Sequence, residues 1–195
     1  MKNLLLFLIF STTTYAQNIS KINADLNLSD SLSKNEIRIY EGVGITNYSS
    51  IFRMYKTKSE NWIAEFYKHY AEVQGQAELH TEKRVIESNN DMEYVWKSIL
   101  RTNIQYLPSM PEIKYKMKER GNVELIDGEY QITWNSKEIM DGVGYEVQIK
   151  NNKFFNQVEY GNPESYLKHY PNIDELIFFK ELLNLLRNEF NIWLK

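Results

Sequence analysis

The chain is 195 residues long with 43% hydrophobic, 25% charged and 14% aromatic residues, a composition that fits one ordinary folded domain and neither a disordered chain nor a multidomain machine. Lysine and arginine number 23 against 26 aspartates and glutamates, so there is no basic field to neutralise phosphates and no nucleic-acid partner is expected. Cysteine is absent, which removes disulfides, thiolate nucleophiles and cysteine-ligated zinc.

Residues 1–16 have the layout of a secretory signal peptide. Lys2 gives a positive start, Leu4 to Phe10 form an unbroken apolar run, and Ala16 is a small residue ahead of Gln17 where a signal peptidase could cut. The run is far short of the roughly 20 apolar residues that cross a bilayer. Cleavage between Ala16 and Gln17 removes Lys2 and moves the formal charge from −3 to −4. The mature chain then has no membrane span and no cysteine for a lipid anchor, so it is expected free in a bacterial periplasm or outside the cell. Residues 17–35 are rich in Asn, Ser, Asp and Lys and read as a flexible lead-in. Residues 36–195 read as the single folded domain.

From Glu36 onward apolar residues alternate with polar ones: Ile37 and Ile39, Ile51 to Tyr55, Trp62 to Phe66, Leu79 to Val85. This period of two, broken by short polar turns, predicts antiparallel strands. A Gln74-Gly75 turn sets His69 opposite His80 and Tyr70 opposite Leu79. An Asp127-Gly128 turn sets Val123 opposite Ile132 and Leu125 opposite Tyr130. An Asn151-Asn152 turn sets Tyr145 opposite Val158 and Ile149 opposite Phe154. Each register sorts apolar from polar residues by face, and a one-residue slip would scramble that sorting.

Two helices stand out. After Asn90, with Glu93 three residues on, Met92, Val95, Trp96, Ile99, Leu100, Ile104 and Leu107 recur at helical spacing until Pro108. The second opens at Asn172 with Glu175 at the capping-box position and carries Leu176, Phe179, Leu183, Leu186, Phe190 and Trp193 on one stripe. Lys180, Asn184, Arg187 and Asn191 are left for water. Ser109 to Gly121 fits helix slightly better than strand. Gly42-Val43-Gly44 and Gly142-Val143-Gly144 read as strand bends rather than as halves of a duplication or a phosphate loop.

One constellation could carry chemistry. The predicted Gln74-Gly75 register brings His69, His80, Glu78 and Glu82 onto one strand face, and two imidazoles with two carboxylates suit zinc or another divalent ion. The plainer reading of the same residues, with Glu65, Tyr67 and Arg84, is a solvated hairpin face. His169 lies in the aromatic connection Tyr166 to Pro171 and reads as linker. No nucleophile elbow, zinc-protease motif or nucleotide loop is present. Rings on strand faces, among them Trp62, Phe66, Tyr70, Tyr130, Trp134, Tyr145 and Tyr160, offer an interaction surface wherever helices leave the sheet uncovered.

The sequence therefore predicts one α+β domain, a curved and mostly antiparallel sheet of about seven or eight strands packed against two main helices, one of them C-terminal. Its expected role is that of an exported bacterial binding or protein-interaction domain, adaptor-like or inhibitor-like, without a cofactor or catalysis of its own. The alternatives are a small metal-dependent or acid-base enzyme using the His/Glu hairpin face, and a carrier holding a small apolar ligand between sheet and helices.

Overall fold

The structure is a computed structural model that describes residues 14–118, 120–139 and 142–194, with side chains described from Ile19 onward. Most of the expected signal peptide, residues 1–13, lies outside the described residues. Helix α1 (Thr14–Asp25) leads into a meander of β1 (Asn35–Glu41), β2 (Tyr48–Lys56), β3 (Trp62–Tyr70) and β4 (His80–Ile86). There follow α2 (Met92–Arg101), α3 (Met110–Ile113) and the hairpin β5 (Asn122–Ile126) and β6 (Glu129–Thr133). A second hairpin, β7 (Gly144–Asn151) and β8 (Phe154–Gly161), then α4 (Pro163–His169) and α5 (Asp174–Phe190), complete the described chain. The predicted single α+β domain is what forms. Six strands make an antiparallel sheet in the order β4-β3-β2-β1-β7-β8, and β5-β6 stand apart as a two-stranded sheet.

Alternation in the strands decides which side chains meet the helices. Ile37, Ile39, Phe52, Met54, Phe66, Tyr145, Val147, Ile149, Val158 and Tyr160 share one face and form the main core with Val95, Trp96 and Ile99 of α2 and Leu176, Phe179, Leu183 and Leu186 of α5. The N-cap of α2 is Asp91, one residue later than expected, and its carboxylate accepts from the amides of Glu93 and Tyr94 at 2.9 and 3.1 Å. Asn90 instead donates its amide to the Glu189 carboxylate of α5. The capping box expected at Asn172 does not form, because Glu175 turns to Lys116 at 2.5 Å. Ser109 and Glu112 do form theirs, but that helix lasts a single turn before a 3-10 turn, Lys114–Met117, which buries Met117 beside Met110 and Ile113. The connection expected between Tyr166 and Pro171 is mostly helical, as α4.

The opposite face of the sheet is also buried, but with polar groups. Glu36, Arg38, Tyr40, Glu65, Tyr67 and His69 all lie almost out of reach of solvent. Arg38 and Arg53 both donate to Glu36 Oε1, at 2.6 and 2.7 Å, and Arg38 also reaches the Ser29 carbonyl at 2.6 Å. Glu65 accepts from Tyr67 at 2.6 Å and pairs with Arg53 and Lys83. Burial pushes the Glu36 carboxyl up, yet the bond from Arg53 and the charges of Arg38 and Arg53 outweigh it and hold the group below its usual range. Glu65 is held low in the same way, by Lys83, Tyr67 and Arg53 acting against its burial.

What covers this face is the segment expected to be a loosely ordered lead-in. Residues 17–25 belong to α1, whose Ile19 and Ile22 pack on Tyr40, Ile51 and Tyr67, with Leu26 and Leu28 against the same cluster. Asn23 accepts from the Tyr40 hydroxyl at 2.8 Å and donates to Asp30 at 2.8 Å. A helix of this length is marginal alone, so the two isoleucines and the polar ties to the sheet are what keep it folded.

Registers separate into one kept, one shifted by two and one shifted by one. The Asp127-Gly128 hairpin pairs as predicted. In β7-β8 the turn is Asn152-Lys153, and Tyr145 faces Tyr160 while Ile149 faces Asn156. Asn152 donates its backbone N–H to the Lys34 carbonyl at 2.8 Å, which keeps Asn151 in the ladder with Asn35. A shift of two preserves each residue's face. In β3-β4 the Val73 and Ala77 backbones bond to each other across a three-residue turn, Gln74 to Gln76, rather than a two-residue one. The pairing slips by one, so Tyr70 faces His80 and His69 faces Thr81.

Candidate functional site

That slip takes the predicted His/Glu constellation apart. His69 lies on the face covered by α1, where its Nε2 sits 2.8 Å from Asp25 Oδ2 and its buried Nδ1 has no hydrogen-bond partner among the described residues. His80 lies on the other face, exposed, with its ring against Tyr70 and its Nε2 3.5 Å from Glu82. Glu82 is engaged by Lys68 at 2.9 Å, and Glu78 lies in the short stretch between the Val73–Ala77 bridge and β4. Among the described residues no three His, Asp or Glu side chains gather as a metal would need. His69 and His80 cannot serve one ion from opposite sides of a sheet. His169 closes α4 with its side chain exposed.

A cleft that the sequence did not predict lies where the central strands end. β1 finishes at Glu41 and its neighbour β7 begins at Gly144, so the two Gly-Val-Gly runs come side by side, and the amide of Gly42 donates to the carbonyl of Gly144 at 2.9 Å. Glu41 and Tyr145 on these strands, Pro163 and Glu164 at the start of α4, Arg187 near the end of α5, and Trp193 beyond it line a cavity of about 400 Å³.

Each wall residue is fixed by bonds that local sequence explains. Glu41 accepts from the Ser50 hydroxyl at 2.7 Å and from the Tyr145 hydroxyl at 3.3 Å. Ser50 in turn accepts from the Trp193 indole N–H at 2.7 Å. Arg187, expected in water, forks onto both Glu164 oxygens at 2.8 and 3.1 Å and ties down the Trp193 carbonyl at 3.1 Å. This two-point geometry suits guanidinium and would not be reproduced by lysine. α5 stops at Asn191, in the left-handed region with φ 51°, and so Trp193 leaves the stripe on which helical spacing placed it. Trp193 itself has φ 51°, a strained conformation for a bulky residue that survives only where surrounding contacts enforce it. Those contacts are the indole bond to Ser50 and the ring's edge-on packing against Phe52, Phe66 and Tyr145. At Gly142, φ is 152° and a Cβ would fall 1.7 Å from Asn162 Oδ1, so only glycine fits beside that side chain.

Electrostatics give the cleft a sign. Burial pushes the Glu41 carboxyl up, while the bonds from Ser50 and Tyr145 and the charge of Arg187 pull part of the way back. Burial and the neighbouring Glu41 also push the Tyr145 phenol well above its usual range, so it stays a donor. Arg187 is held charged by its bond to Glu164. Glu41 is held by two hydroxyls while Arg187 forks onto Glu164, so among the described residues the Glu41 carboxylate makes no ion pair and could accept a cationic or strongly donating ligand. Val143, Pro163 and Leu194 supply apolar wall beside it. Ser50, the hydroxyl bonded to the carboxylate, is fully buried and cannot meet a substrate. Comparison with family models, with characterised proteins and with solved structures finds no match.

Proposed function

We propose that the protein is an exported binding protein without catalysis of its own, and that its ligand is a small organic molecule bearing an amine and a compact apolar body. The observation that carries this reading is Glu41, a carboxylate drawn into a cleft, held there by the Ser50 and Tyr145 hydroxyls and without an ion pair among the described residues. Cavities of a few hundred Å³ with a few convergent polar groups are the usual seats of small ligands. An ammonium placed against Glu41 would be desolvated on its apolar side and paired on its polar side, and it would draw the carboxyl back to its ionised form. The space between sheet and helices is occupied by Phe179, Leu182 and Leu183, all fully buried, which favours a polar ligand in the cleft over an apolar one in the core. Export rests on the signal-like residues 1–16.

Native mass spectrometry of the protein from its own host should show a bound small molecule, and titration of the emptied protein with a panel of primary amines should recover binding by calorimetry. Glu41→Gln is expected to weaken that binding at least tenfold, about 1.4 kcal/mol, with the unfolding midpoint little changed. Amine binding indifferent to Glu41→Gln would place the ligand elsewhere and end this reading.

A further inference from the structure

Among the described residues the β5-β6 hairpin forms no ladder with the six-stranded sheet. Its pairing puts Val123 opposite Ile132 and Leu125 opposite Tyr130 on one face, while Glu124 and Gln131 pair on the other. Trp134 continues the apolar row at the base, its ring lying where a Cβ on Gly121 would be. The described residues leave all five exposed, from 51% for Trp134 to 81% for Tyr130. A two-stranded hairpin is marginal in water without something packed on its apolar face, and a contiguous apolar row of this kind marks an interaction surface.

The distribution of charge along the hairpin selects the occupant. At the base, the Lys118 ammonium lies over the Trp134 ring, 5.5 Å from its centroid. At the tip, Asp127 sits in the turn with φ 51°. The apolar row thus runs between a cation at one end and an anion at the other. We propose that the hairpin docks face to face on the hairpin of a second copy of this chain, the two pointing in opposite directions about a two-fold axis. That arrangement sets Asp127 of each copy over Lys118 of the other and buries both apolar rows between them, at the roughly 10 Å spacing of packed sheets. An isologous contact of this type satisfies both charges twice and closes on itself as a dimer.

Sedimentation of the protein from its own host, at concentrations up to about 100 µM, reads the result directly. The unaltered chain should be a dimer, and the double variant Leu125→Ser, Ile132→Ser a monomer with the same main unfolding transition. Lys118→Glu and Asp127→Lys should each raise the dissociation constant at least tenfold, because each homodimer then faces like charges twice. An equimolar mixture of those two variants should regain the affinity of the unaltered chain, since every contact in the mixed dimer is again between opposite charges; this recovery also shows that neither variant is merely misfolded. A monomeric unaltered chain overturns the proposal and leaves the hairpin face to a different protein. So does a dimer that survives the double variant, and so does a mixture that stays dissociated.

Discussion

One face of the six-stranded sheet is closed by carbon and the other by charge. On the α2 and α5 side, Phe179 lies stacked on Tyr160 with ring centroids 4.1 Å apart, among fully buried leucines. On the α1 side, Glu36 and Arg38 are as deeply buried but hold each other and Arg53 through ionic hydrogen bonds. Apolar packing tolerates small displacements, because every neighbour contributes a little. An ionic cluster does not, since desolvating each charge is offset only while its partners stay in place. The two faces of one sheet should therefore fail differently.

The largest effect is expected on the apolar face, where Phe179→Ala should lower unfolding free energy by about 4 kcal/mol through lost contacts and the cavity left behind. Denaturant titration checks it. On the charged face Glu36→Gln should cost about 3 kcal/mol, because Arg38 and Arg53 then lose the carboxylate they share. The sharper comparison replaces Glu36, Arg38 and Arg53 together by leucine and methionine, which should leave stability within about 1 kcal/mol of the unaltered protein. If the triple variant falls further than the single one, the cluster stabilises the fold in its own right and the distinction between the faces breaks down.

A third test uses pH. Burial, with the charge of Glu159 adding to it, lifts Glu146 on the charged face to about 7, despite an opposing bond from Gln157. The folded state thus binds this proton more tightly than the unfolded chain, so stability is highest below the ordinary carboxyl range and declines as pH rises toward 7. Glu36 and Glu65, held low, act the other way and lose their contribution as pH falls below that range. Glu146→Gln should raise stability at pH 8 by about 1 to 2 kcal/mol after allowance for solvent screening, and change little at pH 4. Thermal melts at the two pH values decide the sign. The smallest effect is expected from Tyr40→Phe, which strands the buried Asn23 carbonyl and should cost about 1 kcal/mol. It should also speed amide exchange in α1 selectively.

How much the sequence revealed follows the same division. The apolar face was legible because Ile37, Ile39, Phe52, Val147 and the stripes of α2 and α5 announce themselves by period. The charged face was not: Glu65, Tyr67 and His69 look like a solvated edge, and their burial depends on α1, whose own sequence is polar enough to read as a loose leader. The β3-β4 register turned on one extra turn residue, Gln76, and that one residue decided whether His69 and His80 met. The cleft was hidden for another reason. Its residues come from five separate stretches of chain, and its geometry depends on left-handed turns at Asn162 and Asn191 that helical spacing cannot foresee. The pair of Gly-Val-Gly runs was the one available signal, and only β1-β7 pairing gives it meaning.

That pairing also orders events in time. β1 is the middle of the sheet, yet its second neighbour arrives about a hundred residues later, as the Tyr145 to Glu41 bond measures with its separation of 104. During synthesis the meander β1 to β4 can assemble from local contacts while one side of β1 stays open. An open strand bearing Ile37 and Ile39 is an invitation to intermolecular pairing. Inward-pointing charges are a known guard against it, and Glu36 and Arg38 occupy those positions. Residues that are costly to bury in the finished molecule would thus keep the half-made one soluble until β7 closes the edge.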